Sequence, residues 1–452
     1  MNENKDFLGT EPVGRLLRRL AVPTVTAQLI NMLYNVVDRI YIGHIPEIGD
    51  LALTGVGVCM SIIMVVSAFA ALVSSGGAPR ASIFMGQKRD DAAEETLGNC
   101  FALQVIVSLV LTAILLRWDR DFLLAFGASE NTIEYAVGYM DIYAMGTLFV
   151  QLTLGMNAFI TAQGFTKISM LSVTIGAVCN IILDPILIFG LHMGVRGAAL
   201  ATIVSQAVSC LWVVSFLAGK RTRLRLQVKN FRLRPQVILP CLALGTAAFV
   251  MQSSESVIAV CFNSSLLRYG GDIAVGAMTI LTSVMQFAML PLQGFSQGAQ
   301  PIISYNRGAR NAGRVKEAFF LLLKVCLTYS TALWGLVMLF PELFAKLFNN
   351  SNPALVSYAG TALRIYMAVA LLFGIQIACQ MTFTALGNAK AAATAAIVRK
   401  FVLLLPLIYL MPVLFPANKA LAVYLAEPVA DLLAVSFTAT LFFFQFRKTL
   451  AE

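Results

Sequence analysis

Charge is scarce in this chain. Of its 452 residues only 12% are Asp, Glu, Lys or Arg, against about a quarter in soluble domains, which excludes an ordinary water-soluble globule. Histidine is scarcer still: there are two, His44 and His192, both near the ends of apolar runs. No run contains clustered acids of the DDxxD type, and the pair Asp90–Asp91 reads as the cap of an amphipathic segment. With neither a histidine-based metal set nor acids for Mg²⁺, no enzyme and no cofactor are expected. The eight cysteines are scattered, mostly inside apolar runs (Cys59, Cys179, Cys210, Cys261, Cys326), without CxxC spacing, and read as small buried hydrophobes. No stretch has the layout of a cleavable signal peptide.

What the chain has is apolar length. Hydrophobic residues make up 58% and the mean hydropathy is +0.79. Runs of the length needed to cross a bilayer as a helix, about 20 residues, number twelve: roughly 16–42, 53–78, 98–117, 136–162, 168–190, 196–218, 238–265, 274–303, 318–340, 357–386, 394–415 and 420–446. The expected fold is an all-α integral membrane protein of twelve transmembrane helices. The net charge of +10 sorts by loop. Arg15, Arg18 and Arg19, Arg80, Lys88 and Arg89, Lys167, the dense run from Lys220 to Arg234, Arg307 to Lys316, Lys390, Arg399 and Lys400, and Arg447 and Lys448 fall on one side. The opposite loops are short and carry Glu47, Asp50, Asp119, Asp121 and Glu130. The positive-inside rule then predicts cytoplasmic termini in a multi-pass protein of the cell's inner or plasma membrane. The partner of the basic residues is the lipid bilayer's inner face, not nucleic acid.

The chain repeats itself. GGAPRASIFMGQKRDDA (Gly76 to Ala92) matches GAQPIISYNRGARNAGR (Gly298 to Arg314), with Pro79 on Pro301 and Gly86 on Gly308. TAQGFTK (Thr161 to Lys167) matches TALGNAK (Thr384 to Lys390) at nearly the same offset. Two six-helix lobes, 1–218 and 238–452, joined by a basic linker at 219–237, follow. Six spans is an even number, so both enter the membrane the same way round. Parallel repeats typically hold substrate at their interface and rock one lobe against the other. A monomer is expected.

Span one carries a polar seam. Thr24, Gln28, Asn31, Asn35 and Asp38 recur at steps of 4, 3, 4 and 3, which places them on one helical face. In hydrocarbon such a row is costly unless it faces protein or water. Pro23 begins the seam as a candidate flex point. The other buried acid of the first half is Asp184 in NIILDPILIFG, with Asn180 one turn before it. At about 1.5 Å per residue, Asp38 lies about 6 Å from the outer end of span one. Asp184 and Thr202 lie about 9 Å into spans five and six. These hard oxygens suit Na⁺, and two neighbouring carboxylates also tend to share a proton. Each has a plainer reading: an Asp38–Arg39 salt bridge, a Pro185 kink, or ordinary interhelical hydrogen bonds from Asn180 and Thr202.

The repeat offset carries Asp38 to Val260 or Cys261 and Asp184 to about Leu407, so the acids are not duplicated. The second half offers Gln252 and Glu255 in span seven, Gln286, Gln293, Gln297 and Gln300 in span eight, and Gln376, Gln380 and Thr384 in span ten. Gln28, Asn31, Tyr34, Asn35, Gln252, Glu255, Gln286, Gln293, Gln376 and Gln380 are the candidate substrate-cavity residues. Glu255 reads either as a partner for a cationic substrate, as a second proton site, or as paired locally with Ser254. Glu427 and Asp431 in span twelve carry no assigned role. Eighteen methionines and 30 phenylalanines supply adaptable apolar walls.

In this order, several segments resemble the multidrug and toxic compound extrusion family. They are the first span ending DRIYIG, then GGAPRASIFMGQ, TAQGFTK, NIILDPILIFG, GGDIAVGAMTI, LPLQGFSQGAQPIISYNRGA and TALGNAK, and together they cover essentially the whole chain. The resemblance implies a V-shaped pair of lobes, alternating access driven by Na⁺ or H⁺, and export of small drug-like, often cationic, organic compounds. In one branch of that family the ion site is built at the positions of Asp38, Asn180, Asp184 and Thr202. Another branch pairs a span-seven glutamate, here Glu255, with a span-ten aspartate, where this chain has glutamines. The wider superfamily includes lipid and glycolipid flippases with basic cavities. For that alternative the chain's deep basic candidates are Arg364 and Lys324.

Overall fold

The computed structural model describes residues 6–451 and is helical over nearly all of them. Among the described residues, nine helices are long and apolar enough to cross a bilayer. They supply span one (Val13–Gly43), span two (Gly49–Gly86), span three (Asp90–Ala125), span five (Thr166–Gly190), span six (Val195–Ala218), span nine (Ala312–Leu339), span eleven (Ala389–Leu414) and span twelve (Pro416–Ala451). The ninth is Pro235–Gly308. At 74 residues it would be a rod of about 110 Å, over three times the hydrocarbon thickness. It breaks at Gly271, whose φ of 67° is one that side-chain-bearing residues rarely adopt. Span seven is therefore 235–270 and span eight 272–308. Two bent pairs complete the twelve: span four, Ile133–Met145 with Thr147–Ala162 at 59°, and span ten, Pro353–Tyr366 with Ala370–Ala385 at 49°. The fourth span of each half carries the bend.

The helices run further than the apolar runs. Spans two and three extend past 53–78 and 98–117 because polar residues beyond the apolar stretch continue the same hydrogen-bonded turns. At the end that carries both termini the two lobes meet backbone to backbone. A β-carbon on Gly86 would lie 1.9 Å from the Tyr305 carbonyl oxygen, and one on Gly308 would lie 1.9 Å from that of Ile83. These glycines are repeat mates, so the crossing of spans two and eight has local twofold character. Span one joins the same seam: Thr24 Oγ1 donates to the Gly294 carbonyl at 2.6 Å and Gln28 Nε2 to Gln297 Oε1 at 3.2 Å.

The short helix Phe7–Thr10 covers this end. Asp6 meets Lys88 at 2.5 Å, Arg223 at 3.5 Å and the Tyr305 hydroxyl at 2.8 Å. It thus touches both lobes and the segment between them, and the Lys88 and Tyr305 hydrogen bonds hold its carboxyl below the usual pKa. The Leu8 carbonyl accepts from Asn306 and Arg314 of the second lobe. The basic segment after span six lies on the first lobe: Arg223 pairs with Asp90 at 3.0 Å, the Arg225 amide donates to Glu94, and the Arg234 amide donates to Asn99. Asp90 and Asp91 occupy the first turn of span three, where acids complement the helix dipole.

Because the Gly86–Gly308 crossing leaves no room for a side chain, Gly308→Leu forces the lobes apart at this end. Overpacking of this kind costs about 1–3 kcal/mol or more. We expect thermal unfolding of the detergent-solubilised variant to begin several degrees below wild type; an unchanged midpoint would contradict the packing described.

Candidate functional site

The first cluster sits between spans one, five and six, near the end opposite the termini. Asp38, five residues before the last of span one, and Asp184, six before the last of span five, lie about 8 and 9 Å from their helix ends. Their carboxyl groups are within hydrogen-bonding reach of each other, and both residues are buried. Asn180, one turn before Asp184, donates from Nδ2 to Thr202 Oγ1 at 3.4 Å, and Thr202 itself donates to the Ala198 carbonyl. That leaves Asn180 Oδ1, Asp38 Oδ1 and both Asp184 oxygens buried without a partner. Spans five and one pack along their length because each is apolar around a narrow polar stripe. Pro185 marks the point where span five passes from α-helix into the π-helical turn Ile186–Gly190, a geometry frequent at functional sites.

Two carboxylates this close in a low dielectric do not both stay ionised on their own; such a pair suits a shared proton or a bound cation. Arg39 is exposed and makes no ion pair with Asp38 among the described residues, though its charge acts on the Asp38 carboxyl. The unpartnered oxygens are a hard donor set that fits Na⁺ as well as a proton. Tyr41 of span one and Phe189 of span five meet edge to face at 6.4 Å just beyond the acids. Tyr139 and Tyr143 of span four, both buried, stand behind Thr202 and Tyr34. Sequence reasoning missed these tyrosines, although their spacing of four on span four was a readable signal.

The polar seam divides. Its lower part, Thr24 and Gln28, is bonded to span eight. Above it Asn35 donates to the Asn31 carbonyl, and Asn31 and Tyr34 are half-buried while Asn35 is exposed. Span one is an unbroken helix through buried Pro23. Of the proposed second-half wall, Gln286, Gln293 and Gln297 are exposed and Gln252 half-buried. Gln376 is instead buried and donates to Gln380 at 3.2 Å.

A second buried cluster corrects the sequence reading. Arg399 and Lys400, assigned above to a basic loop, lie inside span eleven, about 15 Å from its start, and are 6% and 4% exposed. Lys400 pairs with Glu255 at 2.5 Å, so the partner of Glu255 is not Ser254, whose hydroxyl donates to the Met251 carbonyl. Arg399 grips one oxygen of Asp431 through Nε and Nη2, at 3.1 and 3.0 Å. Arg364 and Lys324, the deep basic candidates, are exposed. The π-helical turn Val398–Leu404 explains how two consecutive cations both reach the interior. In a regular α-helix neighbours point about 100° apart. The cluster occupies spans seven, eleven and twelve, the repeat mates of one, five and six. The acids are not duplicated position by position, yet equivalent helices of the two lobes build the two polar clusters.

Two repeated lobes of six spans, each with an ionic cluster on equivalent helices, define a polytopic membrane protein of inner duplication. The MatE family model matches residues 23–186 and again residues 247–410, and the chain belongs to that family, the multidrug and toxic compound extrusion family. It is 26% identical to the multidrug export protein MepA of Staphylococcus haemolyticus, over 96% of this chain and 95% of that protein, and 23% identical to MepA of Staphylococcus aureus strain NCTC 8325, with the same coverage. Its fold matches a multidrug resistance MATE family transporter in the outward-facing conformation (TM-score 0.92, 21% identity, 99% of each chain). It also matches a MOP superfamily transporter from Pyrococcus furiosus whose binding pocket is described as reversed in polarity (TM-score 0.91, 22% identity, 100% of this chain and 99% of that one).

Removing one partner of a buried ion pair strands the other, at a cost of about 3–5 kcal/mol, whereas replacing both by apolar residues is often neutral. Arg399→Leu is expected to destabilise the protein strongly in thermal melts, and the double variant Arg399→Leu/Asp431→Leu to recover much of the loss. Equal melts for wild type and Arg399→Leu would show that the pair is not desolvated.

Proposed function

We propose that this protein is a secondary active antiporter that exports drug-like, cationic organic compounds, driven by Na⁺ or H⁺ entering at Asp38, Asn180, Asp184 and Thr202. The observation that carries this reading is the pair of carboxyls within reach of each other, with buried unpartnered oxygens. Such a site changes charge when an ion arrives, and moving a two-state equilibrium from mostly one state to mostly the other takes about 5.5 kcal/mol of differential binding. Desolvated carboxylates are the groups in this chain best able to supply it.

On this reading the protein lies in the cell's inner or plasma membrane with both termini and the 219–237 linker in the cytoplasm, and works as a monomer without a cofactor. The named interlobe hydrogen bonds fall in the half near the termini, which corresponds to a state closed to the cytoplasm and open outward. On this reading the substrate cavity includes Tyr34, which is half-buried, and Glu255, which is exposed. The multidrug export named for the staphylococcal relatives agrees with this substrate class. A flippase for phosphate-bearing lipids would need a net positive cavity. The deep cations here are Arg399 and Lys400, and the buried Glu427 and Asp431 together with the more open Glu255 outnumber them.

Asp38→Asn and Asp184→Asn should each abolish ion-driven efflux of a fluorescent organic cation from reconstituted vesicles while leaving the protein folded. Undiminished efflux in both would sink the site assignment.

A further inference from the structure

The second-lobe cluster holds more acid than base. Glu255, Glu427 and Asp431 face Arg399 and Lys400, so with every group ionised one negative charge is left over. Asp431 has its arginine, though its Oδ2 is buried without a partner. Glu255 has its lysine. Glu427, 5% exposed and one turn from Asp431 on the same helix, has no hydrogen bond or ion pair among the described residues. A proton on that carboxyl would bring the cluster to neutrality.

The geometry gives Lys400 a choice of partner. Its side chain is 5% exposed, whereas that of Glu255 is 48% exposed and so is open to an incoming cation. Span eleven packs against both span seven and span twelve. Lys400 and Arg399 are therefore within electrostatic range of Glu427 as well as Glu255. The groups around Glu427 are Asp431 on its own helix, Arg399 and Lys400 on span eleven, Glu255 on span seven and the buried Tyr366 on span ten. A lysine head on a flexible four-carbon stem can move between two carboxylates where an arginine fork on a single oxygen stays put.

We propose that Lys400 is an exchangeable internal cation: the positive group of an exported compound replaces it on Glu255, Lys400 moves to Glu427, and Glu427 releases its proton to solvent. The proposal rests on the export reading and deepens it by naming a substrate subsite and a second proton site. Charge balances throughout. Before binding, Glu255 with Lys400 and Asp431 with Arg399 are neutral pairs, and Glu427 is neutral through its proton. Afterwards the organic cation neutralises Glu255, Lys400 neutralises Glu427, and one proton has left for one cation gained.

The test is titration calorimetry of the full chain in detergent with tetraphenylphosphonium, in buffers of different ionisation enthalpy at neutral pH, which counts protons released per cation bound. Wild type should release about one. Glu427→Gln should bind the cation at least about tenfold more weakly, since a displaced Lys400 then has no carboxylate to receive it, and without releasing a proton; Glu255→Gln should also lose affinity by at least about tenfold. Release should persist in Asp184→Asn, which separates this site from the first-lobe acids. Infrared difference spectra of the wild type need no variant to fold: adding the cation should remove the carbonyl stretch of a protonated carboxylic acid. Binding without proton release, or release that survives in Glu427→Gln, overturns the exchange and leaves the export reading standing. Failure of tetraphenylphosphonium and other organic cations to bind at all overturns both.

Discussion

A carboxylate taken out of water must find a cation, a proton or a set of donors, and within a membrane-embedded bundle the penalty for finding none is several kcal/mol. The two lobes meet this constraint in different ways. In the second, Lys400 and Arg399 are built into the helix, so the chain itself supplies cations for Glu255 and Asp431. In the first, Asp38 and Asp184 lie against each other with the charge of exposed Arg39 nearby, and on the proposed reading an ion from solution completes their neutralisation. An ion supplied from outside is one whose gradient can do work. The asymmetry between otherwise repeated halves is, on this reading, what makes the first lobe the ion's site.

The remainder of the architecture serves that difference. The lobes are pressed together near the termini by the Gly86–Gly308 crossing, the bonds from Thr24 and Gln28, and the contacts of Asp6 and Leu8. Span one belongs to both regions, since its lower half is held by span eight while its upper half carries Asp38 against span five. A change of charge at Asp38 therefore acts on the same helix that ties the lobes together, without any longer path of coupling.

Much of this was legible in the sequence. Apolar length and loop charge set the twelve spans, the repeat offset set the lobes, and the steps of the polar seam brought Asp38 to the depth of Asp184. Arg399 and Lys400 were not legible. Sequence distance alone places them within about ten residues of a basic loop, and only the π-helical turn and acids from two other spans show that they are interior. The tyrosines of span four went unread for a related reason: their spacing of four puts them on one face, but the bend at Gly146 sets which way that face points. Tertiary partners decide the role of a membrane charge, and a single sequence does not list them.

The central claim is that the uncompensated acids of spans one and five control how the lobes stand. The most direct measurement is the distance distribution between spin labels placed at the ends of spans two and eight opposite the termini. It would be recorded while Na⁺ and pH are varied separately in lipid nanodiscs. The account predicts that one of the two ions redistributes the distances in the wild type and that neither does so in Asp38→Asn/Asp184→Asn. An ion-dependent shift of the same size in that double variant would contradict it.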